Sequence, residues 1–334
     1  MSSTKEESLY LSNLVERCGF EETTTPPNLD PHWRTYVLKE DFGSGHNHFL
    51  ISGEGWMCTI NDFKFFEDQV FDITSPGYVS IAWNEIIAGE EFNPYRKLRS
   101  GVVWGFYGKA DGWRGFIHGR IPVRSVSVGL SPDFIQEYLD QEWPGHFDSP
   151  KEAFSAIHSV NEIPEAVAIM KKMRPSKADD GLPVDHYRDM VYQLLNVVVG
   201  KAKEMEQTPK RNVSAVDEAH IRSVAQFVDD HYSGVLRIGD LSRAAQMSPT
   251  KFKECFKAVM GTTFTQYVLS RRISQAELML QEPTLSIEFV AHMVGYSCVS
   301  RFTQLFNRET GMLPSEYRAC FKYKTPSLEK DDQR

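Results

Sequence analysis

The chain has no apolar run of eighteen residues, few cysteines and no tryptophan beyond residue 143. The first absence excludes a membrane-spanning helix, which needs about twenty consecutive apolar residues. The opening stretch Met1–Phe20 is charged and polar, with no apolar block or small-residue cleavage site, so a soluble, cytoplasmic protein is the expectation. Five cysteines (Cys18, Cys58, Cys255, Cys298, Cys320) are scattered without CxxC spacing, which argues against a zinc site or a dithiol couple. They read as reduced, buried, small apolar side chains. Positive charge is also scarce: 37 Lys and Arg face 45 Asp and Glu, for a net charge of −8. Spread evenly, that balance would repel nucleic acid. It is not even, because residues 1–212 hold 22 basic against 31 acidic side chains (−9) and residues 213–325 hold 13 against 11 (+2). A local basic face in the C-terminal segment would have to meet any phosphate.

At 334 residues and 41% hydrophobic, the chain exceeds what one core usually organises, so two domains are expected. All six tryptophans precede residue 144. From Trp33 to Val128 short aromatic and β-branched runs (Trp33–Leu38, His48–Ile51, Gly55–Ile60, Val79–Trp83, Val102–Tyr107, Val123–Val128) alternate with turn signals such as Ser75-Pro76-Gly77 and Ala110-Asp111-Gly112. That pattern predicts an antiparallel β sandwich or small barrel. The period then changes. Ser131-Pro132-Asp133 opens a helix with Ser at N-cap and Pro at N1, and after Pro183 the apolar residues Val184, Tyr187, Val191, Leu194, Leu195 and Val198 repeat at three and four, giving one helical stripe. Residues 200–213 read as a linker. The expected class is α+β multidomain: a β-rich domain with a helical C-terminal part over 1–205, a linker over 206–216, an all-α domain over 217–320 and a polar tail over 321–334.

The all-α segment nearly repeats itself. Phe252, Phe256, Gly261 and Tyr267 recur as Phe302, Phe306, Gly311 and Tyr317 at a spacing of 50, and the stretch Leu241–Ser248 answers Val290–Ser297 at a spacing of 49. Each copy has the grammar of a helix-turn-helix: a short helix, a tight turn, then an N-cap Ser opening a second helix buried through Phe-x-x-x-Phe. The turn residue is Gly295 in the second copy, free to adopt positive φ, and Gln246 in the first, where strain is expected. The phenylalanines leave Thr250, Lys251, Lys253, Glu254 and Lys257 outward in copy one, and Val299, Ser300, Arg301, Thr303, Gln304 and Asn307 in copy two. Such side chains suit a major groove: Lys reaches guanine, Gln pairs with adenine, Glu accepts from cytosine, and Thr or Val meets a thymine methyl. Lys257, Arg301 and Arg308 are better placed for phosphate, with Lys251 and Asn307 flanking. Between the copies, Phe264 to Gln281 reads as one helix of about 18 residues, roughly 27 Å long. Such a bar could hold two recognition helices near the roughly 34 Å separation of successive major-groove turns.

Through Gly261…Tyr267…Arg272…Ala276…Leu280, Val294-Gly295-Tyr296-Ser297, Phe302…Phe306 and Gly311-Met312-Leu313-Pro314-Ser315-Glu316-Tyr317-Arg318, about 100 residues of the chain resemble the arabinose-regulator (AraC) family of bacterial transcription factors. Within it, Met247–Lys253 and Val259–Thr263 resemble the pyochelin-regulator, siderophore-responsive branch. The resemblance implies base contacts at Thr250, Lys253 and Glu254 in the first unit and at Val299, Ser300, Thr303 and Gln304 in the second. Glu254 stands where the family often carries Arg. It further implies a cupin-like effector or dimerisation domain at the N-terminus, activation as the commoner mode, promoter DNA and RNA polymerase as partners, a homodimer, and no enzymatic activity or cofactor.

A cupin enzyme fused to a DNA-binding module is the competing class. His46-Asn47-His48 has the metal-binding His-x-His form, with Glu54 as a carboxylate, but that Glu comes late and Ser80 occupies the later histidine position, so a metal ligand set is not assembled. The two histidines read as surface or loop residues. Trp56, Trp83, Trp104 and Trp113 read as core filler or, with Arg96 or Arg99 at the mouth, as the lining of a site for an aromatic or anionic effector. The Val184–Val198 stripe is either a helix–helix dimer seam or packing for its own β domain. A regulator controlled by abundance or by a protein partner, with a vestigial sensor, is the remaining alternative.

Overall fold

The computed structural model describes residues 18–26, 29, 32–73, 79–92, 96–107, 113–154, 163–174, 183–206 and 213–321, and the chain divides into two units, 1–210 and 211–334. The N-terminal unit holds strands β1 (Phe20–Thr23), β2 (Trp33–Leu38), β3 (Gly43–Ile51), β4 (Trp56–Phe65), β5 (Gln69–Ile73), β6 (Val79–Ile86), β7 (Gly89–Phe92), β8 (Arg96–Lys97), β9 (Val103–Tyr107), β10 (Trp113–Ile117) and β11 (Val123–Leu130). They form a seven-stranded sheet, β1-β2-β3-β4-β11-β6-β9, and a four-stranded sheet, β5-β10-β7-β8. All the pairings are antiparallel. The turns Ser75-Pro76-Gly77 and Ala110-Asp111-Gly112 lie outside the described residues.

Alternation sends neighbouring side chains to opposite faces of a strand, and the two faces of the large sheet differ. One carries Trp56, Cys58, Ile60, Trp83, Val126, Val128 and Leu130 into a core completed by helices α1 (Pro132–Glu142), α2 (Pro150–Ala153), α3 (Pro164–Met173) and α4 (Val184–Glu206). The other face joins a second core that draws on both sheets, with Tyr36, Phe49 and Met57 from the large one and Phe71 and Ile117 from the small one. Helix α1 begins as its sequence dictates: Ser131 accepts from the Phe134 amide at 3.3 Å, with Pro132 in the first turn. Arg174, at the end of α3, ties that helix to the sheet by pairing with Asp62 at 3.3 Å and with Glu85.

Helix α4 corrects two expectations. It runs through Glu206, so a helix occupies 200–206 where a linker was expected. Its stripe is also spent inside the unit: Tyr187, Val191, Leu194, Leu195 and Val198 are fully buried in the first core, with Val184 packed at its edge. Side chains without exposed surface cannot form a dimer seam, so the stripe is packing for its own domain.

The C-terminal unit is helical: α5 (Ala215–His231), α6 (Ile238–Ala244), α7 (Pro249–Met260), α8 (Phe264–Leu280), α9 (Ile287–Met293), α10 (Val299–Thr310) and α11 (Pro314–Ala319). Among the described residues no helix is long and apolar enough to cross a membrane.

Candidate nucleic-acid interface

Helices α6 and α7, and again α9 and α10, form two pairs built alike. In the first turn Gln246 and Met247 donate to the carbonyls of Arg243 (2.9 Å) and Ser242 (2.8 Å); in the second Gly295 and Tyr296 donate to those of His292 (3.0 Å) and Ala291 (2.9 Å). These residues correspond at the repeat spacing of 49. The turn residue has positive φ in both copies, +55° at Gln246 and +88° at Gly295, so the first copy holds a side-chain-bearing residue in a conformation that favours glycine. Each second helix ends at a left-handed glycine, Gly261 or Gly311, which leaves the helix with its last carbonyls satisfied.

The helix starts differ. Ser248 caps α7, accepting from the Lys251 amide at 3.2 Å. In the second copy the cap position belongs to Cys298, and no side-chain hydrogen bond is made there. The expected Ser297 cap is displaced because the residue inserted after Ser297 moves the helix start by one. Cys298 is also exposed and Cys320 half-buried, so only Cys18, Cys58 and Cys255 are buried thiols.

Buried rings fix which way each second helix faces. Phe252 and Phe256 pack edge-on against Phe264, and Phe256 against Tyr267; Phe302 packs on Phe306, and Phe306 edge-on against Tyr317. All four helix phenylalanines are fully buried. On the opposite face Thr250, Lys253, Glu254 and Lys257 are exposed on α7, and Ser300, Arg301, Gln304, Asn307 and Arg308 are exposed on α10, with Val299 and Thr303 half-buried. Two cations are already engaged. Lys251 Nζ lies 2.7 Å from Asp217 on α5, and this hydrogen bond holds the Asp217 carboxyl below its ordinary range. Arg308 Nη2 lies 3.0 Å from the buried Glu309, whose other oxygen accepts from Gln266 at 3.0 Å.

In the N-terminal unit the tryptophans do not gather. Trp56 and Trp83 belong to the core under the helices, where Trp56 donates to Glu54 at 3.2 Å and Lys171 lies over Trp83 at 5.3 Å. Trp104 packs instead against the core between the sheets and donates to Glu91 at 3.2 Å. A single box of Trp56, Trp83 and Trp104 is therefore not formed. Arg99 is half-buried, and the side chains of Trp113 and Arg96 lie outside the described residues.

The interior face of the large sheet carries something the sequence reading missed. Tyr36, Asn47, Asn61, Ser125 and Asn84 face one another in a single rung across five strands, and Asn61 donates to Ser125 at 2.8 Å. The next rungs on that face run Phe49, Thr59, Ser127, Ala82, Trp104 and then Ile51, Met57, Gly129, Ser80, Phe106. Central strands β11 and β6 thus present Ser125, Ser127, Gly129, Ser80, Ala82 and Asn84, none larger than Asn, while their other face is filled by bulky apolar residues. Asn47 and Asn84 are 1% and 3% exposed, yet Asn47 Oδ1 and Asn84 Nδ2 have no hydrogen-bond partner among the described residues, an arrangement that costs free energy unless something else occupies it. The alternation of small and polar types at every second position was the available signal.

His46 and His48, expected on the surface or in a loop, sit half-buried on β3 with rings 4.5 Å apart. Burial, reinforced by His46 and opposed by Asp62, lowers His48 to about 4, and its Nδ1 lies 2.9 Å from Thr35 Oγ1. Glu54 is committed to Arg188 at 2.9 Å. Among the described residues no group of three His, Cys, Asp or Glu side chains converges as a metal would require.

The paired helices define a class: residues 241–319 match the family model described as a helix-turn-helix domain. Three curated relatives align with the chain. The probable transcriptional regulator LumQ of Photobacterium leiognathi is 30% identical over 33% of this chain and 46% of its own. The arabinose operon regulatory protein of Escherichia coli K12 is 26% identical over 40% of this chain and 51% of its own. The regulator ExsA of Pseudomonas aeruginosa is 34% identical over 30% and 36% respectively. Through residues 241–319 the chain carries a helix-turn-helix domain similar to those of these transcription regulators. The alignments span about half the length of these relatives, or less.

Proposed function

We propose that the chain is a sequence-specific regulator of transcription, an activator, that reads double-stranded promoter DNA through two helix-turn-helix units in tandem, α6–α7 and α9–α10. The repeated pair geometry carries this reading. Two second helices, each fixed by a buried Phe-x-x-x-Phe, turn a matched set of polar side chains outward, and on both the set holds groups that hydrogen-bond base edges. Thr250, Lys253 and Glu254, with Val299, Ser300, Thr303 and Gln304, are the base-reading positions; Lys257, Arg301 and Asn307 meet the backbone, as do Lys251 and Arg308 once released from their carboxylates. RNA polymerase is the partner an activator recruits.

The N-terminal unit, in this reading, is a cupin-like sensor whose effector enters between the two sheets and biases the DNA-binding unit. The small, polar interior rungs of β11 and β6 and the unpartnered Asn47 and Asn84 favour it over a vestigial sensor. They also move the site from the Trp56, Trp83, Trp104, Trp113 and Arg96 or Arg99 lining to the Asn47–Asn84 rung. The likeness to the pyochelin-regulator branch makes a siderophore the first effector to try. Homodimerisation, in this reading, uses a surface other than the α4 stripe. The test is selection of bound sequences from a random duplex pool at physiological salt. Two short motifs about one helical turn apart, with base preferences altered one position at a time by Lys253→Ala and Gln304→Ala, are expected; no enriched motif overturns the reading.

A further inference from the structure

Helix α8 joins the two helix pairs along the chain, and the fold adds a second joint that the sequence does not announce. Arg272, midway along α8, donates from Nε to the Tyr232 carbonyl at 2.8 Å and from Nη2 to the Gly234 carbonyl at 2.9 Å, both in the segment between α5 and α6. Its Nη1 donates to the Gly295 carbonyl at 3.2 Å, in the turn between α9 and α10, and its guanidinium lies 5.2 Å over the Tyr296 ring. The two backbones meet directly at the same place: a Cβ on Gly295 would stand 2.4 Å from the Ser233 carbonyl oxygen and 3.0 Å from Arg272 Nη2. Carbonyls from both halves of the unit therefore converge on one planar fork of donors. Lysine, a point charge with three rotatable donors, cannot hold three carbonyls in that fixed geometry while stacking on a ring.

We propose that Arg272 is a positioning residue that sets the separation and angle between α7 and α10, and through them the number of base pairs between the two short motifs the chain reads. The inference rests on the tandem reading proposed above. A helix linker fixes its two ends only as well as the short loops that follow it. Here the second pair also packs on α8 itself, with Gln266 of α8 donating to Glu309 of α10 at 3.0 Å, and Arg272 adds the contact that ties the α9–α10 turn to the segment ahead of the first pair. The Arg272 joint therefore braces the α9–α10 turn against both α8 and the α5–α6 segment, which fixes one pair relative to the other more closely than packing on α8 alone. Arg272 itself faces backbone carbonyls and an aromatic ring of its own unit, so its effect on DNA is on spacing and not on base identity.

The experiment uses the full-length chain and its Arg272→Lys and Arg272→Gln variants. After selection from a random duplex pool, binding is measured on duplexes carrying both selected motifs at the preferred separation and at one or two base pairs more or less. The unaltered chain is expected to lose about tenfold or more on a one-base-pair change, since a single missed motif forfeits its base contacts. The variants are expected to keep the base preferences within each motif while the spacing profile flattens to within about threefold. Should a variant lose helix by far-UV circular dichroism, the same profile is read on Gly295→Ala, which wedges the joint open from its other side. Variants that keep their helix and retain the sharp profile overturn the role of Arg272 alone. A single motif selected by the unaltered chain overturns the tandem reading, and this inference with it.

Discussion

The two turns hold the same conformation with different residues, and that contrast gives a prediction of opposite signs. Gln246 sits at φ +55°, where a side-chain-bearing residue costs about 1–2 kcal/mol relative to glycine. Gln246→Gly removes that cost and adds back about 0.4–1 kcal/mol of unfolded-chain freedom, so the first pair should gain about 1 kcal/mol. Gly295→Ala runs the other way. The same positive-φ penalty of about 1–2 kcal/mol applies, and a Cβ 2.4 Å from the Ser233 oxygen forces a backbone shift worth about 1–3 kcal/mol of overpacking. Less the entropic gain, the second pair should lose about 2–4 kcal/mol. Native-state hydrogen exchange on the full-length chain, read on peptides covering 238–260 and 287–310, measures each pair separately. Lower protection after Gln246→Gly, or unchanged protection after Gly295→Ala, refutes the view that the turn conformation is set by the fold and merely tolerated by the residue.

Replacing Phe256 or Phe306 by Ala should cost about 3–5 kcal/mol and open one pair in the same exchange experiment while leaving the other protected; equal loss in both pairs would show that they do not pack as separate cores. Asp217→Asn should change stability little, as for an exposed ion pair, and release Lys251 toward phosphate, steepening the log–log salt dependence of duplex binding by about one; an unchanged slope means Lys251 stays away from DNA. His48 lies near 4 in the fold against an ordinary value of about 6.5, so the fold favours the neutral ring. The stability contributed by that preference is present in full above pH 6.5 and is lost as pH falls toward 4. His48→Gln should weaken the acid-side loss of stability in that window, and an NMR midpoint for His48 near 6.5 would contradict it.

What could be read from the sequence was whatever local chemistry dictates. The Ser131 cap and the Ser248 cap, the strand Trp33–Leu38 and the start of α4 after Pro183 depend on residues within a few positions of one another, and they stand where periodicity and capping put them. The Phe faces of α7 and α10 were legible because the repeat states them twice. Long-range pairings were not. Lys251 meets Asp217 from 34 positions away, Arg272 collects carbonyls 38, 40 and 23 positions away, and Trp56 and Trp104 fall into different cores although both read as aromatic filler. Strands β7 and β8 escaped because they are short and Glu90, Glu91, Arg96 and Lys97 mask the alternation on them. Cys298 escaped because an inserted residue moved a cap by one place, a shift that leaves the apolar pattern untouched.

The large sheet divides its labour by face. On one side Cys58, Val128 and Ile81, and beside them Ile60, Val126 and Trp83, bind it to the helices; on the other the same strands present Thr59, Ser127, Ala82 and the asparagine rung. A substitution among the interior small residues removes little buried apolar area, while one a single position along the strand removes a great deal. Mutational drift in this unit is consequently channelled: the small interior residues of β11 and β6 can be rewritten one by one with the scaffold intact, while the bulky residues of the two cores cannot.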